Sequence, residues 1–276
     1  MKNFRLAILD LYNGIPNQGM RCIQDIVHAF RYQVKHEVFD VRARGETPNV
    51  DDFDLFIFSG GPDNPIGGPG VEGWETPFFR VIDDLFAYNR TAERKKYAFF
   101  ICHSFQMLVH HLGLADVVAR KSMSFGTFPC HKTKAGTREP FFRGLANPFY
   151  VADFRRYQVI QPDHEKFEAT GAQILCLEKI RPHVPLERAI MSIRFSPEVF
   201  GTQFHPEADG MGMQQHFQRE DIMVEVINEH GKKKYAQMMR DLNHPGKIEL
   251  TNETVIPRFL DQSIRALKES RRLVTV

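Results

Sequence analysis

A chain of 276 residues, 42% hydrophobic and 25% charged, fits one large globular domain or one domain with an appendage, and can bury a sizeable core. Its formal net charge of +2 makes no case for a nucleic acid or membrane partner, and no apolar run approaches a spanning length. Cys22, Cys102, Cys130 and Cys176 lie scattered without a C-x-x-C pair, which argues for reduced thiols and a cytoplasmic location.

In chain order, Phe4–Leu11 reads as a strand, too short in its apolar run and lacking the cleavage site of a signal peptide. An amphipathic helix over Met20–Tyr32 and a strand over Glu37–Val41 follow. Asp54–Phe58 is a buried strand that runs directly into Ser59-Gly60-Gly61-Pro62, and the glycine-rich stretch Ile66–Gly73 reads as a mobile loop beside it. Pro77–Tyr88 has helical spacing. Tyr97–Ile101 is an apolar strand that stops at Cys102 and opens into a helix through Gln106. This βαβ rhythm predicts a doubly wound, mostly parallel α/β sheet with helices on both faces and ligands at the carboxyl ends of its strands. From Val117 to Arg194 strands succeed one another across Gly and Pro turns, predicting a β-rich edge before a last strand, from Val199, ends at His205 and Glu207. Beyond Asp209 the pattern turns helical: Gln214–Met239, interrupted by Gly231, then a turn at Pro245-Gly246 and a helix over Pro257–Leu273. The expected division is therefore residues 1–208 as the α/β domain and 209–276 as a helical extension, packed on that domain or at a homodimer interface.

A thiol at a strand-to-helix turn, with an imidazole and a carboxylate two residues apart at another strand end, supplies the parts of a Cys-His-Glu nucleophilic triad. Cys102 is the candidate nucleophile, His205 the general base and acid, and Glu207 the group that orients and charges the imidazole. Gly60 and Gly61 let the backbone approach a ligand closely, and with the N–H of His103 at the helix start they are candidate oxyanion donors. His110-His111 and Cys130-His131 lack convergent ligand spacing, and no phosphate-binding glycine loop occurs, so no metal or cofactor is expected.

Over residues 4 to 208 these segments resemble the class I (triad type) glutamine amidotransferases, whose patterns are G-x-C-x-G-x-Q, S-G-G-P and Q-F-H-P-E. Ser59–Pro62 and Gln203–Glu207 match in full and in the family's order, whereas Phe100 and Ser104 stand where glycines are usual. The resemblance implies a flavodoxin-like class I fold and cleavage of a γ-glutamyl amide through a Cys102 thioester. Ammonia or an amine would pass to solvent or to a separate synthetase subunit, since no fused synthetase domain is expected. It also implies that Gln106 helps hold the substrate's amino-acid end. Relatives often place a histidine-containing segment between the two motif strands; here Val151–Arg155 has none, leaving Asp153 and Arg155 as charged candidates for the substrate's amino and carboxylate groups. Phe100 and Ser104 are expected to crowd the turn or reshape the pocket, and with the long C-terminal tail they motivate an alternative, a catalytically reduced binding or regulatory subunit.

Overall fold

The computed structural model describes residues 3–67, 73–182, 186–244 and 246–274. Most of the predicted glycine-rich loop, and Pro245 of the predicted turn, lie outside these residues.

Strands β1 (Phe4–Asp10), β2 (Val34–Asp40), β3 (Leu55–Phe58) and β4 (Tyr97–Ile101) alternate with helices α1 (Gln18–Ala29) and α2 (Glu75–Thr91). Then come α3 (His103–His111), the long strands β5 (Ala115–Lys132) and β6 (Phe149–Pro162), α4 (His164–Thr170), β7 (Gln173–Leu177), β8 (Ile190–Arg194) and β9 (Val199–Thr202). Helices α5 (Gly210–Gln218), α6 (Glu220–His230), α7 (Lys232–Leu242), α8 (Ile248–Asn252) and α9 (Val255–Val274) complete the chain.

Among the described residues the strands form one nine-stranded sheet, ordered β2-β1-β3-β4-β9-β8-β7-β5-β6. Pairings from β2 to β9 are parallel, and those from β9 to β6 are antiparallel. The sheet is thus mixed: parallel where the βαβ rhythm runs, antiparallel over the β-rich edge, where β5 and β6 form one long hairpin.

The central strands are apolar on both faces because both are covered. Successive residues alternate sides: Ala7, Leu9, Phe56, Phe58, Ala98 and Phe100 join a core with Phe78 and Ile82 of α2 and Phe105 and Leu108 of α3. Leu6, Ile8, Leu55, Ile57, Phe99 and Ile101 join the opposite core with Ile23 and Val27 of α1. That second core also contains Phe259, Leu260, Ile264 and Leu267 of α9, each at most 1% exposed. Burial of such side chains contributes on the order of 1.5–3 kcal/mol each. The apolar stripe of the last helix therefore covers its own sheet. The Gln214–Met239 pattern is broken twice, at Arg219 and at Gly231 (φ 84°), into α5, α6 and α7. These three helices pack on the β5–β6 hairpin through Met213, Phe217, Val226 and Met238 against Phe125 and Ala152.

Candidate active site

The turn from β4 into α3 is the first element of the site. Cys102 has φ 49° and ψ −97°, a left-handed conformation that a non-glycine residue adopts only under local constraint. The constraint is visible on both sides: the Cys102 N–H donates to the Thr202 carbonyl (2.7 Å), and its carbonyl accepts from the Gln106 N–H (3.0 Å), opening α3. The residues expected to crowd this turn lie behind it. Phe100 stacks on Phe58, ring centroids 4.1 Å apart and 8° from parallel. Ser104 Oγ accepts from the Ile101 N–H (2.9 Å), lies within hydrogen-bond distance of the Phe58 carbonyl (2.9 Å), and so ties the ends of β3 and β4 together. Space for α3 comes from the neighbouring strand: a Cβ on Gly201, which pairs with Phe100, would lie 2.7 Å from Phe105 and 3.0 Å from Phe195.

At the end of β3, Ser59 Oγ accepts from the Leu11 N–H (2.9 Å) and donates to the Gly60 carbonyl (2.7 Å). Because a trans peptide points its N–H opposite its carbonyl, this bond also fixes the direction of the Gly61 N–H. Neither glycine has room for a side chain. A Cβ on Gly60 would stand 2.8 Å from the Tyr12 hydroxyl and 2.9 Å from His205 Cε1; one on Gly61 would stand 2.8 Å from the Leu11 carbonyl oxygen.

His205 is held at both ends. Its N–H donates to the Ala152 carbonyl (2.9 Å), a bridge to β6, and its Nδ1 lies 2.7 Å from Glu207 Oε1. Glu207 is fully buried, and its second oxygen, Oε2, has no hydrogen-bond partner among the described residues. Its main-chain carbonyl accepts from Asn252 Nδ2 of α8 (2.7 Å). Desolvation alone would lower the His205 pKa; the Glu207 carboxylate, with Cys102, more than offsets it and holds the imidazole well above its ordinary value.

Two cavities meet at Cys102 and share Gly61, Pro62 and Phe154 as walls. The larger, about 500 Å³, is lined by His103, Gln106, Asp63, Asn64, Arg155 and Arg156 among others. Gln106 is buried and donates through Nε2 to Gln203 Oε1 (2.9 Å) and the Tyr157 carbonyl (3.2 Å); Gln203 Nε2 in turn reaches Cys102 Sγ at 3.8 Å. Asp153 and Arg155 are both buried and bind one another, Arg155 Nε to Asp153 Oδ1 at 2.9 Å. Ser124 completes the Asp153 contacts, and Glu178 faces Arg155 at 3.4 Å. Of the pair, only Arg155 lines the cavity. The smaller cavity, about 320 Å³, holds His205 and Glu207. It also contains groups the motifs do not flag: Tyr12 from the end of β1, Cys22 from α1 and Met213 from α5. Desolvation raises the Tyr12 hydroxyl well above its usual pKa, and the nearby Glu207 and Cys102 add to the effect. Only folding brings these residues to the site, although the register after β1 could have drawn attention to Tyr12.

The glutamine amidotransferase class-I family model matches residues 15–224. The chain belongs to this family. Its fold is shared with a glutamine amidotransferase from Thermotoga maritima (TM-score 0.70, 16% identity, 96% of this chain and 99% of that one). The amidotransferase from Methylobacillus flagellatus is also similar (TM-score 0.64, 13% identity, 98% and 95%). A curated relative, the glutamine amidotransferase-like protein YfeJ of Salmonella typhimurium, is 28% identical over 104 residues. That match spans 38% of this chain and 41% of the relative. Among the described residues of this chain no helix is long and apolar enough to cross a membrane.

Proposed function

We propose that this class-I family member cleaves the amide of a γ-glutamyl compound, glutamine or an N-substituted relative, through a thioester on Cys102. The observation that carries the reading is the site's convergence. A cysteine at positive φ opens a helix beside a histidine whose Nδ1 is bound to a fully buried glutamate. In this reading His205 takes the thiol proton and delivers it to the leaving nitrogen, while Glu207 holds the ring and its charge. The backbone N–H groups of Gly61 and His103, with Gly60 setting the loop's approach, receive the oxyanion; one such donor is worth roughly 10²–10³ in kcat. The larger cavity takes the amino-acid end of the substrate, with Gln106 and Arg155 at its wall and Asp153 acting through Arg155.

Phe100 and Ser104, two of the grounds for an inactive regulatory subunit, face away from both cavities, so we favour the enzyme. Ammonia or amine passes to water or to a separate synthetase subunit. The four free, buried cysteines support a reducing, cytoplasmic setting. Residues 209–276 act as a helical extension completing the domain, since α9 fills one core and Asn252 holds Glu207. The reading is tested by incubation with a glutamine-analogue electrophile and mapping of the adduct by mass. Modification of Cys102, and loss of ammonia release in Cys102→Ala, are expected; labelling confined to Cys22, Cys130 or Cys176 would overturn the assignment.

A further inference from the structure

The two cavities at Cys102 differ in chemistry, and the difference bears on what the substrate carries on its nitrogen. His205 lines the smaller cavity and is absent from the walls of the larger. A leaving nitrogen must lie within reach of the imidazole that protonates it, so any group attached to that nitrogen extends into the smaller cavity. The zwitterionic amino-acid end suits the other side, where Asp63, Asn64, Gln106, Arg155 and Arg156 stand. Apart from His205 and Glu207, the described residues that line the smaller cavity carry no charge; Tyr12, Ile15, Cys22, Phe154, Ala208 and Met213 give it a largely apolar wall beside the Gln18 amide.

Size decides between ammonia and something larger. Ammonia is about the size of water, whose share of liquid volume is about 30 Å³. The cavity holds about 320 Å³, which exceeds that roughly tenfold. It is also about twice the ~150 Å³ of an apolar protein cavity that takes up benzene. Burying an apolar substituent there is favourable, whereas a carboxylate would find among the described lining residues only the His205 imidazole, already paired with Glu207.

We propose that the preferred substrates are γ-glutamyl amides of apolar amines, aromatic or branched alkyl, whose substituent occupies the cavity between Tyr12, Ile15 and Met213. The proposal rests on the thioester reading above. Cys102 sulfur bonds to the carbonyl carbon of the γ-amide, the C–N bond breaks as His205 protonates the nitrogen, and the free amine leaves. Water then cleaves the thioester to glutamate and restores the thiol.

The experiment compares kcat/KM for γ-glutamyl benzylamide, γ-glutamylglycine and glutamine on the full chain, with the acyl-enzyme identified by mass. The benzylamide is expected to exceed both others at least tenfold. Met213→Glu, and Ile15→Glu at the exposed rim where folding is not at stake (Ile15 is 60% exposed), should each lower the benzylamide-to-glutamine ratio at least tenfold. A Cys102 acyl-enzyme with glutamine or γ-glutamylglycine preferred, or a ratio that neither variant moves, would overturn the amine assignment alone. If none of the three amides acylates Cys102, the thioester reading falls and the amine assignment falls with it.

Discussion

Removing His205 should cost more stability than removing the charge it accompanies. Glu207 is 0% exposed, its Oε1 lies 2.7 Å from His205 Nδ1, and its Oε2 has no hydrogen-bond partner among the described residues. The imidazole is therefore the principal compensation for a buried carboxylate. Breaking such a pair from one side typically costs about 3–5 kcal/mol, most of it the penalty of an uncompensated charge. His205→Ala should lose that amount near pH 7.5, while Glu207→Gln, which deletes the charge and keeps the shape, should lose about 1 kcal/mol. The double variant should recover most of the His205→Ala loss. The pH dependence follows from the raised His205 pKa. Stability from the charged imidazole is fully present below the unfolded value of about 6.5 and is lost as pH rises through the higher folded value. Urea unfolding of the four proteins at pH 5, 6, 7.5 and 9 measures all of this. A His205→Ala variant within 1 kcal/mol of wild type, and unaffected by adding Glu207→Gln, would show that the buried charge is balanced elsewhere.

Three further outcomes are expected. Cys22 shares the smaller cavity with Cys102, yet burial raises its pKa to about 12, so at pH 8 only about 10⁻⁴ of it is thiolate; iodoacetamide followed by peptide mapping should leave Cys22 unmodified. Gly60→Ala should cut turnover at least tenfold with little loss of stability, because its Cβ meets the far end of Tyr12 and the His205 ring, which steady-state kinetics beside a thermal melt will separate. Phe259→Ala, at 1% exposure with ring contacts to Phe99 and Phe141, should destabilise by about 3–5 kcal/mol in urea; a loss below 1 kcal/mol would detach α9 from the core.

The sheet's parallel half and the segments that meet at Cys102 were legible because each depends on a short stretch: an apolar strand, then a residue with a distinctive backbone or side-chain demand. The edge was less legible. Its Gly and Pro residues suggested several short strands, but Pro129 and Gly126 lie inside the 18-residue β5, tolerated in a long hairpin with register shifts after Ala115 and after Ala119. Asp153 and Arg155 stood out as charges on a strand, and no local pattern shows that they face each other and Glu178. Tyr12, Cys22 and Met213 carry no motif at all; three separate elements deliver them to one cavity. Sequence spacing speaks for neighbours along the chain, and these are neighbours only in space.

The packing around Gly201, the partner of Phe100, carries a consequence for how such chains diverge. Gly201 has no room for a side chain, because its Cβ would lie 2.7 Å from Phe105 and 3.0 Å from Phe195. Position 201 should therefore enlarge only together with a smaller residue at Phe105 or Phe195, passing through an intermediate with both small sooner than one with both large. Steric tolerance at this elbow belongs to the packed group of strand and helix, so a signature confined to one strand would overlook it.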